Sequence, residues 1–170
     1  MMMRMLEAGG LAPLTDGVRR ADEDNPRGYY EFEPVKRLAD DASWLGDARG
    51  KAVKIISALL KHLPPGLEYR VILMNRRIDE VLASQRAMLE RRGRPAGEDD
   101  DRMRELFERH LADVRARLSA RADTRVLEVD YAQTVADPGA TAARVNEFLG
   151  GGLDEAAMAA AVDPALYRQR

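Results

Sequence analysis

Apolar positions along the 170-residue chain change period several times, and each change predicts an element boundary. Met1 to Ala8 is rich in methionine and leucine and is stopped by Gly9-Gly10, which predicts a short helix that opens without a capping residue. Leu11 to Tyr29 carries Pro13, Asp16-Gly17 and the stretch DNPRG (Asp24 to Gly28), turn chemistry that predicts a long surface loop. From Glu31 to Trp44 the apolar Val35, Leu38 and Ala42 recur at helical spacing, and Gly46 to Gly50 would close the helix. KAVKIIS (Lys51 to Ser57) is a short β-branched run and reads as a buried strand. LLKHLPPG then gives a short helical turn and a Pro-Gly stop.

The second half alternates more clearly. YRVILMN (Tyr69 to Asn75) reads as a strand, followed by a helix from about Ile78 to Arg92 whose Val81, Leu82, Met88 and Leu89 would face a sheet. RRGRPAGEDDD is a loop, with Asp99 to Asp101 placing negative charge where a helix N-terminus favours it. Met103, Leu106, Phe107, Leu111, Val114 and Leu118 then mark a long amphipathic helix. TRVLEVD (Thr124 to Asp130) predicts a third strand, and a helix from Gly139 to Leu149 follows. Strands alternating with helices imply an α/β fold with parallel pairing and right-handed crossovers. The length suits a single domain spanning residues 1–170.

Composition restricts the chemistry. With 45% hydrophobic and 33% charged residues the chain has the make-up of an ordinary globular domain. Its 27 basic residues against 29 acidic ones leave a formal charge of −2, which argues against a general affinity for nucleic acid or an anionic membrane. Any anion site must therefore be local. There is no cysteine, and His62 and His110 are too few for a zinc cluster, so no metal is expected. No apolar run approaches a membrane span and the start lacks the features of a secretory signal, so a cytoplasmic location is expected.

One stretch concentrates candidate chemistry. In an open α/β sheet ligands bind beyond the carboxyl ends of the strands, where Arg76, Arg77 and the first turn of the following helix would lie. A helix N-terminus offers N–H groups, arginine offers a planar fork for phosphate oxygens, and Ser84 could add a hydroxyl two turns along. The plainer alternative is that the two arginines are solvent-facing charges paired with Asp79 and Glu80, with Ser84 a small residue at a helix contact.

RRIDEVLAS (Arg76 to Ser84) resembles the 3'-phosphate-binding segment of the PAPS-dependent sulfotransferases, and its flanks agree. DEDNPRGYYEFEPV (Asp22 to Val35) and DYAQTVADPGATAARVNEFLGG (Asp130 to Gly151) are similar to bacterial members of that family. The resemblance implies a three-layer α/β/α domain of P-loop NTPase-like type, PAPS as co-substrate, and a hydroxyl or amine acceptor on a small molecule or peptide. It implies Arg76 and Ser84 as ligands of the 3'-phosphate, with Arg168 as a late basic residue approaching the same group. It also implies Lys54 near the transferring sulfuryl group and Glu31 as general base. A helix-terminal charge is the alternative for Glu31, and a charged tail for Arg168. The histidine that follows the lysine by two positions in cytosolic members is replaced by Ile56. Tyr29 and Tyr30 would line an acceptor pocket or pack as a staple against the next element, and Trp44 would be core.

The family begins with a strand and a PRSGTS-type loop that cradles the 5'-phosphosulfate, and this sequence contains no such loop. The expectation is an N-terminally truncated form that starts just after that loop. Two other readings stay open: a non-catalytic nucleotide-binding or interaction remnant, and a P-loop kinase relative using ATP, although GxxxxGK[ST] is absent.

Overall fold

The computed structural model describes residues 1–19, 21, 28–91, 93 and 100–166. Arg168 and most of the DNPRG turn lie outside the described residues, as does most of the RRGRPAGEDDD loop. Two strands, β1 (Tyr69–Asn75) and β2 (Thr124–Asp130), pair in parallel from Tyr69↔Thr124 to Asn75↔Asp130. Among the described residues six α-helices accompany them: α1 (Met2–Ala8), α2 (Ile78–Arg91), α3 (Asp100–Ser119), α4 (Tyr131–Ala136), α5 (Pro138–Leu149) and α6 (Glu155–Ala160). The chain passes from β1 through α2 and α3 to β2, as a parallel pair requires.

The sheet divides the core in two. Side chains alternate across a strand, so Ile72 and Met74 of β1 join Leu127 and Val129 of β2 on one face. There they meet Met2, Met5 and Leu6 of α1, Ala142 and Val145 of α5, and Met158 of α6. Tyr69 and Val71 point the other way, toward Val35, Leu38, Trp44, Leu45, Leu60 and Leu63 and toward Val114 and Leu118 of α3. Helices and turns thus cover both faces of a parallel sheet, which gives the α/β architecture the sequence implied.

Local chemistry sets the ends of the C-terminal helices. Asp130, Asp137 and Asp154 are the N-caps of α4, α5 and α6, and each carboxylate accepts from the backbone N–H three residues on. Pro138 opens α5, and Gly150 closes it in the left-handed region at φ 101°, where a residue with a side chain would be strained.

Three expectations need correction. KAVKIIS is not a strand: its only ladder contact among the described residues is a parallel bridge between Pro13 and Ala52, and Ile56 is 61% exposed. Glu31 to Trp44 is not one helix but two 3-10 turns, Glu33–Arg37 and Ser43–Gly46, which still bury Val35, Leu38 and Trp44. Leu106 of α3 faces solvent rather than the core, whereas the short helical turn expected in LLKHLPPG is present as a 3-10 turn, Ser57–His62. The first failure has a visible cause. Residues Tyr69 to Met74 all line a cleft of about 1040 Å³ whose opposite wall carries Ala52 to Ile55 together with Met2, Met3 and Leu6. Both faces of β1 contribute, so the cleft runs along the edge of β1 opposite β2. KAVKI lines that cleft and forms no ladder with β1 among the described residues, and a strand needs its neighbours.

At the amino end of the strands one side chain ties several segments together. Arg121 donates to the carbonyls of Leu63 (2.6 Å) and Pro64 (3.1 Å), pairs with Asp123 (2.8 Å), and lies 5.3 Å from the Tyr69 ring. Replacing it with alanine leaves two half-buried carbonyls without their donor. Arg121→Ala is expected to lower the unfolding free energy by about 2 kcal/mol, with Arg121→Lys recovering only part because an ammonium cannot span these acceptors. Urea denaturation checks this, and an unchanged midpoint for Arg121→Ala would reject the clamp.

Candidate active site

Arg76 is the first residue past β1, two positions before α2 begins. Its Nε donates to Oε2 of Glu80 at 2.9 Å, and its Cζ lies 5.0 Å from the centroid of the Tyr131 ring. Tyr131 is the corresponding residue past β2, because the register sets Asn75 opposite Asp130. Two neighbouring strand ends therefore deliver the cation and the ring to one place, the carboxyl edge of the sheet. Ser84 is half-buried on α2, four residues after Glu80, so the two share a helix face. Glu80, which holds Arg76, and Ser84 lie one turn apart on that face. Arg77 is exposed, and Asp79 pairs with Arg104 of α3 rather than with either strand-end arginine. The guanidinium of Arg104 holds the Asp79 carboxyl below its ordinary range.

A second cluster gathers around Glu31. Its half-buried carboxylate meets Arg19 Nη1 at 2.8 Å and Lys54 Nζ at 3.8 Å. Lys54 also donates to the carbonyl of Tyr29 at 3.1 Å, and Arg19 stacks on the Tyr29 ring with Cζ 3.3 Å from its centroid. The expected pair Glu31 and Lys54 is thus brought together, from a loop and from the wall of the cleft. The loop is fastened by its backbone: Thr15 Oγ1 donates to the carbonyl of Glu31 at 2.9 Å, and the N–H of Glu33 donates to Asp16 Oδ2 at 2.6 Å. The N–H groups of Glu33 and Val18 hold the Asp16 carboxyl below its ordinary range.

Tyr30 belongs to neither sequence alternative in a simple way. Its φ of 51° is the one left-handed value among described residues other than glycine, a conformation that costs energy and needs support. Its hydroxyl supplies support by donating to Glu7 of α1. Tyr29 serves as a platform for two cations, and Trp44 is core as expected, in an edge-to-face contact with Phe32 at 5.5 Å. Sequence reasoning missed Arg19, whose role depends on a loop closure that no local pattern encodes. It also missed that His110 of α3 reaches Ser57, with Nε2 2.8 Å from Oγ, close to where Ile56 replaces a histidine. No group of three or more His, Cys, Asp or Glu side chains suited to a metal occurs among the described residues. No described helix is long and apolar enough to cross a membrane.

The Tyr30 contact has a measurable consequence. Burial, and then the bond to the Glu7 carboxylate, push the Tyr30 phenol up from 10.0 to about 12. The neutral phenol is the form the fold favours, so its contribution to stability is complete below the unfolded value near 10 and fades as pH rises through about 12. Spectrophotometric titration should show a tyrosine that ionises near pH 12, and Tyr30→Phe should remove that step. A titration unchanged by Tyr30→Phe would reject the assignment.

Comparison with known proteins adds one positive finding. Neither the curated proteins nor the solved structures provide a match to the chain. A family model described as "Sulfotransferase family" matches residues 19–155. That span includes the Glu31 cluster, the whole of β1 and β2, and the Arg76–Ser84 segment, so the chain belongs to the sulfotransferase family.

Proposed function

We propose that this domain binds PAPS, or its product adenosine 3',5'-bisphosphate, through Arg76 and Ser84, and that a form carrying a phosphosulfate-binding loop transfers the sulfuryl group to a hydroxyl or amine. The observation that carries this reading is the position of Arg76, directly past a parallel strand and two residues before α2, with Ser84 on that helix. Strand ends of this kind are where phosphorylated ligands seat in α/β sheets, and guanidinium is the side chain best matched to phosphate oxygens.

In the proposed reaction an acceptor oxygen or nitrogen attacks the sulfur and the bond from sulfur to the bridging phosphate oxygen breaks. The electron pair leaves with adenosine 3',5'-bisphosphate. Glu31 takes the acceptor's proton, and Lys54, 3.8 Å away, offsets negative charge on the transferring group. Proton transfer of this type contributes about 10²- to 10⁴-fold to rate. The acceptor is of the small-molecule or peptide class.

The donor's phosphosulfate calls for a loop of converging backbone N–H groups. The cleft beside β1 has room for an extended segment that would pair with β1 and end in such a loop at the carboxyl edge. On this reading the 170-residue chain binds the nucleotide without turning over PAPS, and a form extended by a strand and a PRSGTS-type loop gains activity and melting temperature together. PAPS turnover by the 170-residue chain itself would reject the need for that loop.

Binding supplies the direct test. Calorimetry with adenosine 3',5'-bisphosphate should show binding that Arg76→Ala weakens roughly tenfold or more, the equivalent of one charge-assisted hydrogen bond. Equal affinities for the two proteins would remove Arg76 from the site. In an extended form that turns over PAPS, Glu31→Gln should lower kcat by about 10²-fold or more with nucleotide affinity kept. An unchanged kcat would remove Glu31 as the base.

A further inference from the structure

We infer that Glu80 and Tyr131 are positioning residues for Arg76, fixing its guanidinium so that it tells a nucleotide with a 3'-phosphate from one without; this rests on the role of Arg76 proposed above. An arginine at a strand end has four side-chain torsions, and a ligand that must order them loses affinity to the entropy it removes. Arg76 is already ordered. Glu80 takes its Nε–H at 2.9 Å from one side, and the Tyr131 ring lies 5.0 Å from its Cζ on another. The three residues come from the end of β1, the first turn of α2 and the first position of α4, so the β1–β2 register and the β1–α2 junction jointly define the site.

Depth indicates which partner holds which. The Glu80 side chain is 5% exposed and that of Arg76 25%, so the carboxylate sits behind the guanidinium rather than in front of it. A carboxylate so placed would be costly without a charged hydrogen-bonding partner, and the fold retains it at the point where it grips the inner nitrogen of the fork. The guanidinium has five N–H donors, and the bond to Glu80 uses the one on the stem. Phosphate recognition by arginine uses parallel N–H bonds from the planar fork, and a fork clamped at its stem keeps the angle those bonds need. Ser84 lies one turn beyond Glu80 on the same helix face.

The opposite influence is also physical. A carboxylate beside an anion site repels the anion, so if repulsion outweighs positioning, removing Glu80 should tighten binding. The sign of the effect therefore decides the matter.

The test measures affinities of the 170-residue chain and its variants for adenosine 3',5'-bisphosphate and for adenosine 5'-monophosphate. The unchanged chain should prefer the bisphosphate, and Arg76→Ala should abolish the preference. Glu80→Gln and Tyr131→Leu should each reduce it several-fold while leaving affinity for the monophosphate unchanged, and Tyr131→Phe, which keeps the ring face, should retain it. Tighter bisphosphate binding by Glu80→Gln, or an unaltered preference, would overturn the role of Glu80. Equal losses for both nucleotides would mark a merely structural effect and overturn it too. Should Glu80→Gln fail to fold, the contrast between Tyr131→Leu and Tyr131→Phe decides alone, with equal behaviour of the two rejecting positioning. A preference that survives Arg76→Ala, or no preference in the unchanged chain, would instead bring down the Arg76 assignment and this inference with it.

Discussion

The parallel register of β1 on β2 is the constraint from which the rest of the structure follows. Because side chains alternate on a strand, pairing Ile72 with Leu127 and Met74 with Val129 commits one face of the sheet to α1, α5 and α6. The same register turns Tyr69 and Val71 toward α3 and the 3-10 turns, and it brings Asn75 level with Asp130. A slip of one residue would exchange the faces. It would also separate Arg76 from Tyr131, so core packing and the geometry of the candidate phosphate site depend on one alignment. Glu128 adds a polar lock on that alignment: Arg115 of α3 donates to it at 2.9 Å and Asn75 of β1 at 2.7 Å, and these bonds hold its carboxyl below the ordinary range.

The two candidate clusters are held by different means. Around Arg76 the supports are helix and strand ends, anchored by buried residues such as Leu82 and Val129. Around Glu31 they are loop contacts, in which half-exposed ion pairs contribute at most about 1 kcal/mol each and backbone hydrogen bonds from Thr15 and to Asp16 do more to set the path. The left-handed Tyr30 sits in the middle of that loop, its hydroxyl held by α1. A strained residue with a tertiary restraint suits a segment that must present neighbouring side chains at fixed angles.

Elements whose apolar period and partners both lie within the sequence pattern were legible. β1, β2, α2, α3 and α5 fall within a residue or two of their expected bounds, and their alternation implied the parallel pair. Arg76 was legible as a strand-end residue because the break from YRVILMN to arginine is abrupt. KAVKIIS misled because β-branched residues report suitability for a half-buried surface, and the ladder itself needs a neighbour across the cleft. Glu31 to Trp44 misled because Val35, Leu38 and Ala42 keep the i, i+3, i+7 spacing of an α-helix although the chain makes two separate turns, with Leu38 closing the first and Ala42 preceding the second. The Arg19–Glu31 pair and the reach of His110 to Ser57 are products of tertiary folding, with residues brought together across 12 and 53 positions. No window of sequence contains them.

Both candidate cations, Arg76 and Lys54, face a carboxylate within ion-pair distance, at 2.9 and 3.8 Å. In a chain with a formal charge of −2 this arrangement keeps either cation from acting as a bare attractor for any passing anion. A ligand gains from such a site only if it supplies hydrogen-bond geometry along with charge, since the Coulombic attraction is already partly spent on the neighbouring carboxylate. A phosphate with three acceptor oxygens can meet a fixed fork with parallel hydrogen bonds, whereas chloride cannot. The pairing that weakens the field therefore sharpens selection. It is consistent with the proposed division of roles, in which Arg76, with the better-ordered partners, binds, and Lys54, 40% exposed and opposite Glu31, meets a group that changes charge during the reaction.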